Sequence, residues 1–229
     1  RYVVRGGMNH LAKHLAAGLD VAVGVEVESV APGSEGWLLR HAGGAVGVQA
    51  LVLTAPLPQS LRLLAAGGTA IDPRLRARLE AVTYRPTLAV LATLDRAPAV
   101  PPPGGVQLAD GPFGFVADNQ AKGLSSVPAV TLHAAHELSR RRWYDQASVV
   151  LSDLLDEGRR WLGDAAVLDA QLKRWRYAQP AEPIDAEIAA TAVEGRHLVF
   201  AGDAFAGARV EGAFLSGRAA ARHLESALA

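Results

Sequence analysis

The stretch that decides how this sequence is read is AGDAFAGARVEGAFLSGRAAARHL, residues 201–224. It follows a buried-type apolar run, His197 to Ala201, which predicts a strand. An acidic turn and the glycine-bearing loop GDAFAGAR come next, and Glu211 to Ala227 is rich in helix formers. A carboxylate at Asp203 can accept hydrogen bonds from sugar or polyol hydroxyls, while backbone N–H groups left free at Gly212 and Ala213 face an anion. The helix start carries roughly half a positive charge, and Arg209 just upstream adds a full one. Together they suit a nucleotide-like cofactor with a redox head. Small residues recur along the helix at four-residue spacing, Gly212, Ser216 and Ala220 beside Ala213, Gly217 and Ala221. Such stripes admit either a ring system or another backbone at close range.

Working outward, composition narrows the classes. Half of the 229 residues are apolar and one fifth charged, as in ordinary globular proteins. Lys plus Arg balance Asp plus Glu at 23 each, so nothing in the overall charge recruits nucleic acid or a charged membrane face. The absence of cysteine removes disulfides, thiolate metal sites, a cysteine nucleophile and a flavin linked through sulfur. No run reaches about 18 consecutive apolar residues, the threshold for a membrane span, and the expectation is a soluble, cytoplasmic protein. The start, Arg1 to Gly7, lacks an initiator methionine and a signal-peptide core. Its strand-like RYVV reads as the opening of a piece of something longer, although trimming of a mature chain gives the same start.

Met8, Leu11, Leu15 and Leu19 predict a helix ending near Gly18. Val21 to Val30, Trp37 to His41 and Ala45 to Thr54 read as strands separated by PGSEG and AGG turns. Prolines opening APLPQSLRLLAAGG and glycines closing it mark a helix after Thr54, with a second helix over Pro73 to Val82. Further strands are predicted at Thr87–Asp95, Phe113–Asn119, Ala129–His133 and Leu172–Tyr177, interrupted by PPPGG and by a helical block from Glu137 to Trp161.

The GD, short loop and VEGAFLSG pattern resembles the C-terminal flavin motif of the amine oxidase and renalase superfamily. That resemblance implies FAD, with Gly202 and Asp203 holding its ribityl or pyrophosphate region and Val210, Glu211, Gly212 and Ala213 capping the isoalloxazine. A flavin gains negative charge at its N1 and O2 edge on reduction, which is what the helix dipole and Arg209 would meet. GGMNHLAKHLAAGLDVAVGVEVESV is similar to the family segment whose strand contacts adenine through its backbone, here at Val27. LVLTAPLPQSLRLL resembles the strand and loop that return beside the cofactor. DNQAKG near Asp118, TLHAA around His133 and KRWRYAQP from Lys173 look like renalases and their bacterial relatives. The matches keep the family order along nearly the whole chain. The family opens with a strand, a GxGxxG turn and a helix, and this sequence has no GxGxxG. The resemblance therefore implies about 100 residues of nucleotide-binding structure ahead of Arg1, by the size of such halves.

Other residues carry competing readings. His10 and His14 have metal-ligand spacing without the glutamate of HExxH, and read as a solvated helix face. His133 and His136 are near in sequence, but one ends a strand and the other starts a helix, so no metal site is expected. His133 either faces a flavin chamber, as the resemblance implies, or is a satisfied structural histidine. Trp175 and Tyr177 alternate on a strand, sharing a face that could wall an aromatic substrate or pack in a core. Asn119 and Lys122 could orient a carboxamide or phosphate. Arg140, Arg141 and Arg142 read as a solvated run, with phosphate binding the functional alternative.

The fold expected is α/β to α+β, the C-terminal part of a two-domain FAD-binding oxidoreductase. Residues 1–82 and 181–229 would belong to the FAD domain, including its remaining strands and C-terminal helix. Residues 83–180 would form an antiparallel-sheet substrate domain. The function implied is transfer of hydride from a small-molecule dihydronicotinamide nucleotide to FAD, with oxygen as acceptor. His133, Asn119, Trp175 and Tyr177 line the substrate chamber in this reading. A flavin amine oxidase or desaturase of the same superfamily, or a non-catalytic α+β module, are the alternatives.

Overall fold

A computed structural model describes Val4 and residues 6–229; of the RYVV opening, only Val4 lies within the described residues. The chain divides into two compact units. One comprises Ala22–Tyr84 with Gln179–Ala229, and the other Arg85–Ala178 with the described residues before Ala22.

In the first unit, β1 (Val27–Pro32), β2 (Trp37–His41) and β3 (Gly44–Val48) form an antiparallel meander. A second sheet pairs β4 (Leu51–Leu53) parallel to β11 (Arg196–Phe200), whose other edge takes β10 (Ala189–Val193) antiparallel. The continuous apolar run in β11 arises because it is buried on both faces. Leu198 and Phe200 enter a core with Val30, Trp37, Leu53 and Phe205, while Val199 packs with Ala201 and Ala220. That second cluster seats α7 (Val210–Leu228) on the strand. Helix α2 (Leu57–Ala66) turns Leu57, Leu61 and Leu64 inward at helical spacing. Helix α3 (Pro73–Glu80) is capped by Asp72, whose carboxylate accepts from the N–H groups of Arg74 and Leu75 at 2.9 Å each. The buried Trp37 ring fastens the meander to β11 by donating from Nε1 to the His197 carbonyl at 2.9 Å.

The second unit is built on a five-stranded sheet ordered β6 (Gly105–Gln107), β7 (Phe113–Asp118), β8 (Ala129–Ala134), β5 (Tyr84–Leu94), β9 (Val167–Pro180). On one face, Leu88, Val90, Val116, Val130 and Leu132 pack against Val150 and Leu154 of α5 (Ala147–Glu157) and Leu162 of α6 (Arg159–Leu162). Helix α4 (His136–Arg141) is tied to this sheet by the buried Ser139, whose Oγ accepts from the Leu88 N–H at 3.0 Å. The opposite face carries the buried Ala89 and Ala117 together with the half-buried Phe115, Thr131 and His133.

The mixed α/β architecture with antiparallel sheets agrees with the fold class expected, and several local readings change. The strand expected from Val21 begins only at Val27, because Gly24 takes a φ of +71° and breaks the extended run. Ala45 to Thr54 is two strands in different sheets, parted at Gln49 and Ala50. The helical block of 137–161 is three helices, interrupted over 142–146 and at Gly158. β6 and β10 were not expected; each is short and lacks the β-branched run that marks a strand. Helix α1 (Asn9–Leu15) forms at its expected place with no buried residue, and stops at Ala16 before the expected Gly18.

Candidate functional site

The end of β11 delivers Ala201, and the chain then reverses through Gly202, whose φ of +126° favours glycine. The Gly202 N–H donates to Oγ of Ser216 at 3.0 Å, and Ser216 is fully buried on α7. That bond ties the acidic turn to the helix and so sets where Asp203 stands. The Asp203 side chain is half-buried, and burial pushes its carboxyl above the usual range, against the lowering effect of its own backbone N–H. It makes no ion pair with any described residue. A carboxylate so placed retains acceptor capacity for the hydroxyls of a polyol.

Arg209 is the N-cap of α7 and offers no side-chain cap. The Ala213 N–H, expected to be free, instead donates to the Arg209 carbonyl at 3.0 Å, closing the first helical turn. Among the described residues of this helix start, the N–H groups left without an acceptor are those of Val210, Glu211 and Gly212, within that same first turn. Arg209, Val210 and Glu211 are exposed, Ala213 is half-buried, and Gly212 is buried.

The small stripe has a definite partner. A Cβ on Gly212 would stand 2.0 Å from the Gly207 carbonyl oxygen, so the 206–207 loop lies directly on the helix. Ser216 faces Gly202, and Ala220 packs on β11. The Gly212, Ser216, Ala220 row is thus explained by tight backbone packing. Its neighbours Ala213 and Gly217 are the less enclosed row, and Gly217 has open space where a Cβ would stand. Val27, at the start of β1, is half-buried against the core of the same unit.

The second unit presents the substrate-chamber candidates. Register places Ala89 of β5, His133 of β8 and Phe115 of β7 in one row, with Leu91, Thr131 and Ala117 in the next. The His133 ring lies 5.6 Å from that of Phe115 and 5.2 Å from that of Trp175, the latter edge-on. Burial holds the His133 pKa below its usual range, with Lys122 and His136 adding charge repulsion. Trp175 is 40% exposed and Tyr177 half-buried. Asn119 donates from Nδ2 to Thr131 Oγ1 at 2.9 Å, reaching the same rows. His133, Trp175 and Asn119 thus share one face, and Tyr177 follows Trp175 at strand alternation on β9.

Two residues on this face were not singled out from the sequence. Phe115 could have been found, since it alternates with Asn119 on the expected strand. Thr131 needed the register. His136 turns elsewhere, with Nδ1 within 3.2 Å of the Pro86 carbonyl oxygen and 3.4 Å of Thr87 Oγ1. Arg140 pairs with Glu137, and Arg142 with Asp145 and Asp153. That leaves Arg142 committed within the protein. His10 and His14 are exposed on α1, and no group of three or more potential ligands occurs among the described residues. No described helix is long and apolar enough to cross a membrane.

A strand leading through an acidic turn to a helix with unpaired N–H donors is an arrangement that can hold an anionic, polyol-bearing cofactor. The model of the family described as flavin containing amine oxidoreductase matches residues 1–224, and the chain belongs to that family. FAD is the cofactor that goes with it. Among solved structures, the chain is similar to a protein from Exiguobacterium sp. 255-15 assigned as a protoporphyrinogen oxidase, at 16% identity and a TM-score of 0.63, covering 96% of this chain and 51% of that one. It is also similar to a fatty acid isomerase from P. acnes that produces CLA, at 15% identity and 0.53, covering 76% and 40%. A reduced UDP-galactopyranose mutase matches at 13% identity and 0.54, covering 77% and 40%. At these identities the likeness is one of fold, and the chain spans about half the length of the first of these proteins.

Proposed function

We propose that this chain belongs to an FAD-dependent oxidoreductase that takes hydride from a reduced, pyridine-like ring, as in renalase-like oxidation of dihydronicotinamide isomers, with molecular oxygen as final acceptor. The observation that carries the reading is the sheet face on which His133 stands between Phe115 and Trp175. Such a wall suits a flat, uncharged ring. A histidine held neutral by burial, with an ammonium nearby, disfavours a cationic amine on the same face.

In this reading the Ala22–Tyr84 and Gln179–Ala229 unit holds FAD and the Arg85–Ala178 unit carries the substrate. Asp203 accepts from the polyol tail. The free N–H groups at the start of α7, with Gly202, Arg209 and Ala213 nearby, meet the charged edge of the ring, and Val27 meets adenine. Bound FAD would supply the two-electron acceptor. His133, Trp175 and Tyr177 orient the ring of the substrate and exclude water, and Asn119 holds its carboxamide. A cytoplasmic location is part of the same proposal.

The test is anaerobic mixing of the FAD-loaded full-length protein with isomeric dihydronicotinamide nucleotides and with a panel of amines, following loss of flavin absorbance. Bleaching by a dihydronicotinamide isomer and not by amines is expected. Bleaching by amines alone would overturn the reading in favour of a flavin amine oxidase. Failure to take up FAD on reconstitution would overturn it in favour of a non-catalytic module.

A further inference from the structure

We propose that Lys122 is the anchor for an oxyanion on the substrate, a carboxylate or a phosphate, and so restricts the proposed oxidoreductase to anionic substrates. The inference rests on the sheet face of the second unit being the substrate face.

The turn after β7 is fixed by its own residues. The buried Asp118 carboxylate accepts from the N–H groups of Gln120 at 2.9 Å and Ala121 at 3.0 Å, and the Asp118 carbonyl accepts from the Lys122 N–H at 3.1 Å. Asn119 closes the other side, its carbonyl accepting from Leu124 at 2.8 Å and Ser125 at 3.1 Å. Lys122 is therefore not carried on a free loop. Its Nζ stands 5.4 Å from the centroid of Phe115, which continues into the His133 and Trp175 wall.

This ammonium is half-buried, and burial lowers its pKa. No described carboxylate forms an ion pair with it. The nearest acidic group in sequence, Asp118, is committed to the turn. A partly desolvated ammonium without a counter-ion gains from a ligand that supplies the opposite charge. An aromatic face alone compensates only part of that desolvation. His133 held neutral adds a ring nitrogen without competing for the anion. The arrangement matches a planar ring bearing an oxyanion: the ring lies on His133 and Trp175, and the oxyanion reaches Lys122 across Phe115.

The test uses simple probes and no turnover. Titration calorimetry of the FAD-loaded full-length protein with benzoate, phenyl phosphate, benzamide and benzylamine separates ring from charge. Benzoate or phenyl phosphate should bind at least about tenfold more tightly than benzamide, a difference of about 1.4 kcal/mol. Their ratio tells carboxylate from phosphate. Lys122→Met should remove the preference and leave benzamide unchanged, and Lys122→Arg should restore it. Equal binding of all four probes, or an anion preference that survives in Lys122→Met, would overturn the proposal. Anion binding that depends on Lys122 in a protein whose flavin no dihydronicotinamide bleaches would leave the anchor standing and remove the hydride-donor reading.

Discussion

Substituting Gly212 by Ala tests the packing that places the flavin-motif loop on α7. An added Cβ would lie 2.0 Å from the Gly207 oxygen and 2.8 Å from the Ala206 oxygen, both backbone atoms. The loop has little room to withdraw, because the Ala206 N–H donates to the Ala186 carbonyl at 3.0 Å and the Arg209 N–H to the Gly207 carbonyl at 2.8 Å. Overpacking of this kind costs about 1–3 kcal/mol. Exchanging Gly for Ala in a helix returns at most about 1 kcal/mol, leaving a net destabilisation of up to about 2 kcal/mol when that return is full. For a chain of this size that lowers the thermal midpoint by up to roughly 8 °C. Gly217 is the internal control: it lies on the same helix, with nothing within 4 Å of a Cβ. There Gly217→Ala should stabilise by about 0.5–1 kcal/mol. The assay is thermal unfolding of both variants followed by far-ultraviolet circular dichroism at one pH and scan rate. A Gly212→Ala midpoint at or above that of the parent would refute the close loop-on-helix packing. So would two variants that shift in the same direction.

Two titrating groups give predictions of opposite chemistry. The Asp203 carboxyl titrates above its ordinary 3.8 in the folded chain, so just above that pH the folded state holds more protons and stability falls as pH rises. Asp203→Asn should therefore stabilise the flavin-free chain at neutral pH, with the gain fading in acid, while weakening FAD uptake measured by fluorescence quenching; a variant without the neutral-pH gain would refute the desolvation argument. His133 titrates below its ordinary 6.5 when folded, so just below that pH the unfolded state binds more protons. Its contribution is complete above the ordinary value and is lost as pH falls through the window beneath it. Urea unfolding between pH 5 and 8, an interval of about three units around the ordinary histidine range, should show a shallower pH dependence for His133→Gln than for the parent. An unchanged slope would mean that His133 is not desolvated.

The apolar run before residue 201, the acidic turn and the small-residue helix were legible in sequence because each is a local pattern. His197–Ala201 announces a strand buried on both faces by having no polar alternation, and β11 is such a strand. Trp37–His41 and Pro73 are bounded by turn and cap residues, and their elements begin where those signals stand. What filled the small stripe was not legible, since a missing Cβ says that something comes close without saying what. The fold answered with the 206–207 backbone.

The sequence by itself determined the helix start, the carboxylate at Asp203 and the aromatic alternation of Trp175 with Tyr177, since these depend on neighbours within a few residues. Tertiary structure decided that Ser216 holds the Gly202 turn, and that Phe115, His133 and Trp175 share one face that Lys122 also reaches. The ring contacts join different strands, and their pairing is fixed by register and core packing, which no local pattern encodes.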